Sequence, residues 1–334
     1  MVTIKNIAEE LNISVSTVSR AINDHPEVSF DTKQKVLKTI KRLKYTPNAL
    51  ARGLIQKKTF TIGLMVPDIT DLYFSSIAND VEEFFSGAGY QIIYGNSSRK
   101  PEKEKKFLIS SVERKIDGLI VTPDYVDRDM IEWLKQIGIP VVFLRRRPPS
   151  GLNVPFIDVD NYKGACTAMN YLYSLGHENI GFISMPEYAF AGRERQRGFL
   201  DTQNKKGVDT YQIENTEENS MEQGAMALER LVKKAPNVTA IFAASDQLAI
   251  GALERLEQRG IKVPDELSIL GFGDLELSRL HWINLTTMSQ PWKDLGKKAA
   301  SMLLNMLKDD EYIPKSEVLD TPLIVRKSCR QIPM

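Results

Sequence analysis

Apolar residues recur at helical spacing from the first positions of the chain. Ile4, Ile7, Ala8 and Leu11 form one stripe, and Thr3 stands where an N-cap would. "LNIS" (11–14) reads as a tight turn, and Ser14 as the cap of a second helix on which Val15, Val18 and Ile22 fall at i, i+3 and i+7. A third helix is predicted from about Asp31 to Leu43, with Val36, Ile40 and Leu43 on its buried side. Two short helices joined by a tight turn are the pattern of helix-turn-helix. The second helix turns an apolar face inward and presents Ser16, Ser19 and Arg20, short groups plus one long donor, on the other.

From Thr59 onward the period changes. "TIGLMVP" (61–67), "YQIIYG" (90–95), "DGLIVTP" (117–123) and "PVVFL" (140–144) read as strands, and amphipathic helices lie between them. The pattern then restarts with "NIGFIS" (179–184), "YQIEN", "AIFAAS" (240–245) and "LSILGFG" (267–273), again alternating with helices. Continuous apolar strands separated by helices predict parallel sheets covered on both faces. The fold class is therefore α/β: an all-α helix-turn-helix head followed by two doubly wound parallel-sheet lobes. A ligand site is expected at the carboxyl ends of the strands, where the lobes face each other.

Composition narrows the function. The 334 residues are 42% hydrophobic and 26% charged, as in an ordinary globular protein. No apolar run approaches the roughly 18 residues of a membrane span, and none follows a basic N-terminus, so a cytoplasmic protein is expected. Cys166 and Cys329 are too few for a disulfide framework and are read as packing residues. His25, His177 and His281 are scattered without metal-ligand spacing, and His177, at a helix end, is read as a structural cap. There is no P-loop, nucleophile elbow or dinucleotide fingerprint. Neither an enzyme, a metal nor a cofactor is expected.

Charge is unevenly placed. Residues 1–58 carry 11 Lys/Arg against 5 Asp/Glu, and the remainder 33 against 38. A basic head on a mildly acidic body points to a polyanion partner for the head alone. Small residues at the start of the second helix would let its backbone enter a major groove.

"VTIKNIAEELNISVSTVSRAIND" resembles the N-terminus of the lactose/purine repressor family almost position by position. The resemblance implies that Val15, Ser16 and Arg20 read bases, and that Thr3, Ser14, Thr17 and Asn23 contact phosphates. In "YTPNALARGLIQKKT" (45–59), Pro47 ends the preceding helix and "NALARGL" is too short a helix to persist alone. By resemblance this is a hinge helix that orders on DNA. Asn48, Ala51 and Leu54 would then meet the minor groove, with Leu54 as an apolar wedge that kinks the duplex.

"DGLIV", "YLYSLGHENIGFI", "SDQLAIGAL", "VPDELSILGFGD" and "LTTMSQP" extend the resemblance through the body. It implies a periplasmic-binding-protein-like core whose chain crosses between lobes near 160–163, 287–292 and 319–323. The expected division is a DNA-binding domain (1–46), a hinge (47–58) and a ligand-binding and dimerisation core (59–334). Lobe one would take about 59–161 plus 290–320, and lobe two about 162–289 plus 321–334. Operator DNA, a second copy of the chain in a dimer or tetramer, and a small effector (sugar, sugar acid or sugar phosphate) are the expected partners. A periplasmic solute receptor would share the body, but would carry a signal peptide and lack the basic head.

Strand-end residues that the resemblance places in the cleft are Tyr73, Phe74, Arg195, Ser245, Asp246 and Trp292. Two departures stand out. After "VVFL", where many relatives place an aspartate, this chain reads "RRRPP", with Arg145 at that position and Arg146 beside it. After "GF", a second aspartate gives way to Gly273, and Asp274, which follows, is counted with Arg145 and Arg146 among the expected effector-binding residues. Exchanging an acceptor for a guanidinium favours an acidic effector, provided that the arginines face the cleft rather than water.

Overall fold

The computed structural model describes residues 2–22, 24–45, 58–208 and 210–332. The chain divides into two compact units, Met1–Thr59 and Phe60–Met334.

The first unit holds α1 (Ile4–Leu11), α2 (Val15–Ile22) and α3 (Phe30–Leu43). Asn12 turns the chain at φ 52°, a left-handed conformation that Asn tolerates better than most residues. The Ser14 hydroxyl then caps α2 by accepting the Thr17 N–H at 3.0 Å. Ile7, Ala8, Val18, Ala21 and Val36 form the buried core, with Ile40 and Leu43 packed at its edge. Val15 does not join it: the residue is 40% exposed. At about 100° per residue, Val15 lies about 120° around the helix from Ala21, and Ala21 takes the inward position instead.

The second unit is built on two six-stranded sheets. In the first, the order is β11-β5-β4-β3-β1-β2. It comprises β1 (Thr61–Val66), β2 (Gln91–Asn96), β3 (Gly118–Val121), β4 (Val141–Leu144), β5 (Phe156–Val159) and β11 (Glu317–Leu319), all paired in parallel. Leu64 of β1 stands in register with Tyr94 and Ile120. Side chains alternate across the strands, so Ile62, Leu64 and Val66 pack on Ile77, Val81 and Phe85, from α4 (Leu72–Gly87), and on Ala299 and Leu303. Met65, Leu119 and Val121 pack on the opposite face against Leu108 and Leu134. The central strands are dry on both faces, which is why β1, β3 and β4 read as unbroken apolar runs, whereas β2 at the edge leaves Ile93 and Tyr94 exposed.

The second sheet, β12-β10-β9-β8-β6-β7, repeats the plan. β6 (Ile180–Ile183), β7 (Gln212–Glu214), β8 (Ala240–Ala243), β9 (Ser268–Gly273) and β10 (Thr286–Ser289) are parallel, and β12 (Leu323–Ile324) runs antiparallel to β10. The chain passes from one sheet to the other after Val159, Ser289 and Leu319. His177 is fully buried and ties its own lobe to the C-terminal segment: its Nδ1 bonds Thr239 Oγ1 and its Nε2 the Arg330 carbonyl, each at 3.0 Å.

Candidate functional site

In the head, the outer row of α2 stays clear of the core. Ser14, Val15, Ser16 and Arg20 are exposed, and Thr17 is half-buried. Arg20 reaches Glu27 at 3.1 Å, with both side chains largely in water, an ion pair weak enough to exchange for a stronger anion. Thr3 starts α1, where its backbone N–H donates to Asn6 Oδ1 at 2.9 Å. Asn23 and the hinge residues Asn48, Ala51 and Leu54 lie outside the described residues.

In the second unit a cleft opens at the carboxyl ends of both sheets. Its walls bring together Tyr73, Phe74, Arg145, Arg146, Arg195, Ser245 and Asp246. Each arrives for a local reason. Tyr73 and Phe74 open α4, whose N-cap Asp71 accepts the Tyr73 N–H at 3.0 Å. Arg145 follows β4 at φ 57°, a left-handed turn that is costly for a side chain of this kind. After that turn Arg145 and Arg146 both line the cleft, while Arg147 pairs with the buried Asp158 at 3.0 Å. Arg195 comes from α8 (Phe190–Lys205) and is 1% exposed.

The guanidiniums lie on aromatic rings. Arg145 stands 4.1 Å from the Tyr73 centroid, Arg146 4.9 Å from Phe190, and Arg195 3.7 Å from Phe272. Arg195 also donates from Nε to Asn161 at 2.9 Å and from Nη1 to the Ala244 carbonyl at 2.6 Å. Burial, reinforced by the charge of Arg145, lowers it to about 9. Burial likewise lowers Arg146, helped by Arg193, and pushes the Tyr73 phenol up to about 12.

The remaining residues divide between ligand-facing and internal roles. Ser245 bonds Asn219 and caps the next helix, α10 (Asp246–Gln258). Asp246 spends Oδ2 on the Leu275 N–H (2.8 Å) and the Ser278 hydroxyl (2.6 Å), and Oδ1 on the Thr287 hydroxyl (2.5 Å). It braces the strand ends rather than offering an acceptor.

Asp274 and Trp292 stand outside the lining. Gly273 takes the wall position at φ 153°, where any side chain would be strained and a Cβ would come 3.3 Å from Asp246 Cγ. The chain then turns Asp274 away, to Arg326 at 2.6 Å and Arg279 at 2.7 Å. Trp292 stacks behind Tyr73, its ring 6.3 Å away and tilted 11°, and packs against the core of the first lobe.

Sequence reasoning missed Asp71, Arg99, Thr122, Asp124, Phe190, Asn219 and Gln290. Thr122, Asp124 and Gln290 follow the last residues of β3 and β10 within a few positions, a placement that could have flagged them. Arg99 bridges Asp124 at 3.4 Å and Asp71 at 4.0 Å, and burial raises both carboxyls.

A two-lobed α/β core with a cleft at its strand ends, preceded by a helix-turn-helix, defines a DNA-binding regulator with a ligand-binding core. Comparison with known proteins agrees. Residues 3–48 match the bacterial regulatory proteins of the lacI family, and residues 169–329 a periplasmic binding protein-like domain. Catabolite control protein A of Priestia megaterium is 34% identical over 306 residues, 90% of this chain and 91% of that protein. The HTH-type transcriptional repressor CytR of Escherichia coli is 31% identical, covering 99% and 97%. The chain belongs to the LacI family of bacterial regulatory proteins, and the members similar to it include transcriptional repressors.

Among solved structures, the lac repressor dimer bound to operator and the anti-inducer ONPF superposes with TM-score 0.88, at 24% identity over 98% of this chain and 99% of that one. That match shows the fold. The CelR–cellobiose complex gives TM-score 0.72 at 26% identity, covering 98% and 100%.

Proposed function

We propose that this protein is a ligand-controlled repressor of carbohydrate or sugar-acid utilisation genes. It binds a palindromic operator as a homodimer, and a small molecule in the cleft sets its affinity. Residues 1–46 dock on DNA, with Val15, Ser16 and Arg20 on base edges and Thr3, Ser14, Thr17 and Asn23 on phosphates. Residues 47–58 form the DNA-ordered hinge through Asn48, Ala51 and Leu54. The effector is held by Tyr73, Phe74, Arg145, Arg146 and Arg195, beside Ser245.

The observation that carries this reading is the cleft itself. It is walled by the ends of two separate sheets, so a ligand touching both walls favours one arrangement of the lobes over another. Relatives that bind sugars support the ligand class: the CelR complex holds cellobiose, and a LacI-family regulator from Enterococcus faecium, 27% identical, holds ribose. The dimer follows from the small head, which supplies too few contacts alone, while two-fold symmetry supplies two half-sites. Such a repressor works in the cytoplasm, where its operator is; among the described residues no helix is long and apolar enough to cross a membrane.

The test is direct. Purified protein should protect a symmetric duplex selected from a randomised pool, sediment as a dimer, and change its affinity for that duplex when cleft ligand is added. A monomer that binds selected and random duplexes alike contradicts the proposal.

A further inference from the structure

We propose that the cleft ligand is a hydroxylated small molecule bearing an oxyanion, a carboxylate or a phosphate ester, and that Arg145, Arg146 and Arg195 hold that oxyanion. This inference rests on the ligand-responsive reading above and names the chemistry of its ligand.

The acids lining or nearest the cleft are turned mainly to other partners, although Asp158 Oδ1 and Glu104 Oε2 stay unpartnered among the described residues. Asp71 and Asp124 face Arg99, Asp158 takes Arg147, and Asp246 is enclosed by three hydrogen bonds. Among the described residues, Arg145, Arg146 and Arg195 keep donors with no partner: Nε of Arg145, Nε and Nη1 of Arg146, and Nη2 of Arg195. These atoms are out of contact with water; the aromatic rings beneath the guanidiniums and the carboxylates of Asp124, Glu104 and Asp158 attract the cations, but none of them meets these N–H groups. A ring face attracts a cation but accepts no in-plane N–H bond, and it leaves the mutual repulsion of the guanidiniums in place. The direction of Arg195, lowered by burial and by Arg145, expresses the same repulsion. An oxyanion set among the three would neutralise the cluster and fill the open donors together, in charge-assisted bonds.

The rest of the cleft suits hydroxyls. The Tyr73 hydroxyl, Thr122 Oγ1 and Gln290 Oε1 are buried and unpartnered among the described residues, and Asn219 lines the same space. These are neutral donors and acceptors, matched to a polyol chain or ring. A neutral sugar would meet them and leave the open guanidinium donors without a charged partner. An inorganic anion would do the reverse. A sugar acid or sugar phosphate meets both.

The experiment is isothermal titration of the full-length protein with gluconate, glucuronate, galacturonate, glucose 6-phosphate and ribose 5-phosphate, each beside its neutral parent sugar. At least one acid should bind about tenfold or more tighter than its parent, and raised NaCl should weaken it. The carboxylate and phosphate arms then tell which oxyanion the cluster takes. Arg145→Gln and Arg146→Gln should each weaken that acid about tenfold or more. Both variants should remain cooperatively folded without ligand, because the Arg145 and Arg146 guanidiniums leave donors unpartnered among the described residues. A neutral parent that binds as tightly, variants that bind the acid unchanged, or inertness of every acid overturns the assignment. If neutral sugars alone bind and alter operator affinity, the oxyanion assignment falls and the ligand-responsive reading stands. If an acid binds in the cleft without altering operator affinity, the reverse holds.

Discussion

Glu104 offers a test of the cleft's electrostatics that needs no ligand. It lies on α5 (Pro101–Glu113), is fully buried, and accepts the Asp124 N–H at 2.9 Å through Oε1, while Oε2 has no partner among the described residues. Burial is the main cause that lifts its carboxyl from 4.5 to about 7; the charge of Asp124 adds, and that of Arg146 opposes. The folded protein therefore holds a proton at Glu104 that the unfolded chain releases near 4.5. Between pH 4.5 and about 7 the native state binds more protons, so stability falls as pH rises through this window and levels off above it. At about 1.4 kcal/mol per unit, the shift corresponds to about 3 kcal/mol between pH 4.5 and 8, an upper figure because the site can relax. Glu104→Gln keeps the acceptor for the Asp124 N–H and removes the ionisation. Urea unfolding of parent and variant at pH 5, 6, 7 and 8 should show the variant gaining on the parent by about 2–3 kcal/mol across the series. Asp71, Asp158 and Asp246, also raised by burial, act with the same sign in both proteins and cancel in the difference, whereas Asp124, which adds to the Glu104 shift, belongs to the coupling that the variant removes. Parallel curves for parent and variant would refute the argument.

Arg20→Ala should cost about 1–3 kcal/mol in operator binding, as for a good base contact, but under about 0.5 kcal/mol in thermal stability, since its pair with Glu27 is exposed. Equal discrimination between operator and random DNA by variant and parent would remove the base-reading role. Leu54→Ala should weaken operator binding and reduce DNA bending, measured by mobility of permuted fragments, with ligand affinity intact. Asp274→Asn should destabilise the core by about 2–3 kcal/mol in urea, because Arg326 loses its partner in a mostly buried setting, and should leave ligand affinity unchanged. A fragment beginning near Thr59 should stay folded and bind ligand while losing operator binding, because residues from Phe60 on form their own compact unit; a fragment that unfolds contradicts this.

The layered architecture was legible because the central strands of both sheets are buried on both faces. Runs such as "TIGLMV" and "AIFA" carry that burial in their composition. The head was legible through its caps and its 3.6-residue stripe, apart from Val15, where an apolar residue at helical spacing lies outside the core. The cleft was harder to read. "RRRPP" has the composition of a solvated loop, and only the left-handed turn at Arg145 decides that two of its arginines line the site while the third pairs with Asp158. Asp274 misled because its position depends on the backbone at Gly273, which no pattern of residue types specifies. Trp292 misled because an aromatic beside a cleft and an aromatic behind its wall look the same in sequence. Asn219 was missed because an uncharged amide in a loop carries no signal until the two lobes bring it to the cleft.

The central claim is that one chain couples a sequence-specific head to a ligand-filled cleft. Fluorescence anisotropy of the selected duplex, titrated with full-length protein across a salt series with and without a cleft ligand, tests it most directly. The account predicts affinity for the selected duplex well above that for random DNA, a steep fall with salt, and a shift in the specific curve alone when ligand is present. Equal affinity for both duplexes, or a specific curve that no cleft ligand moves, would contradict it.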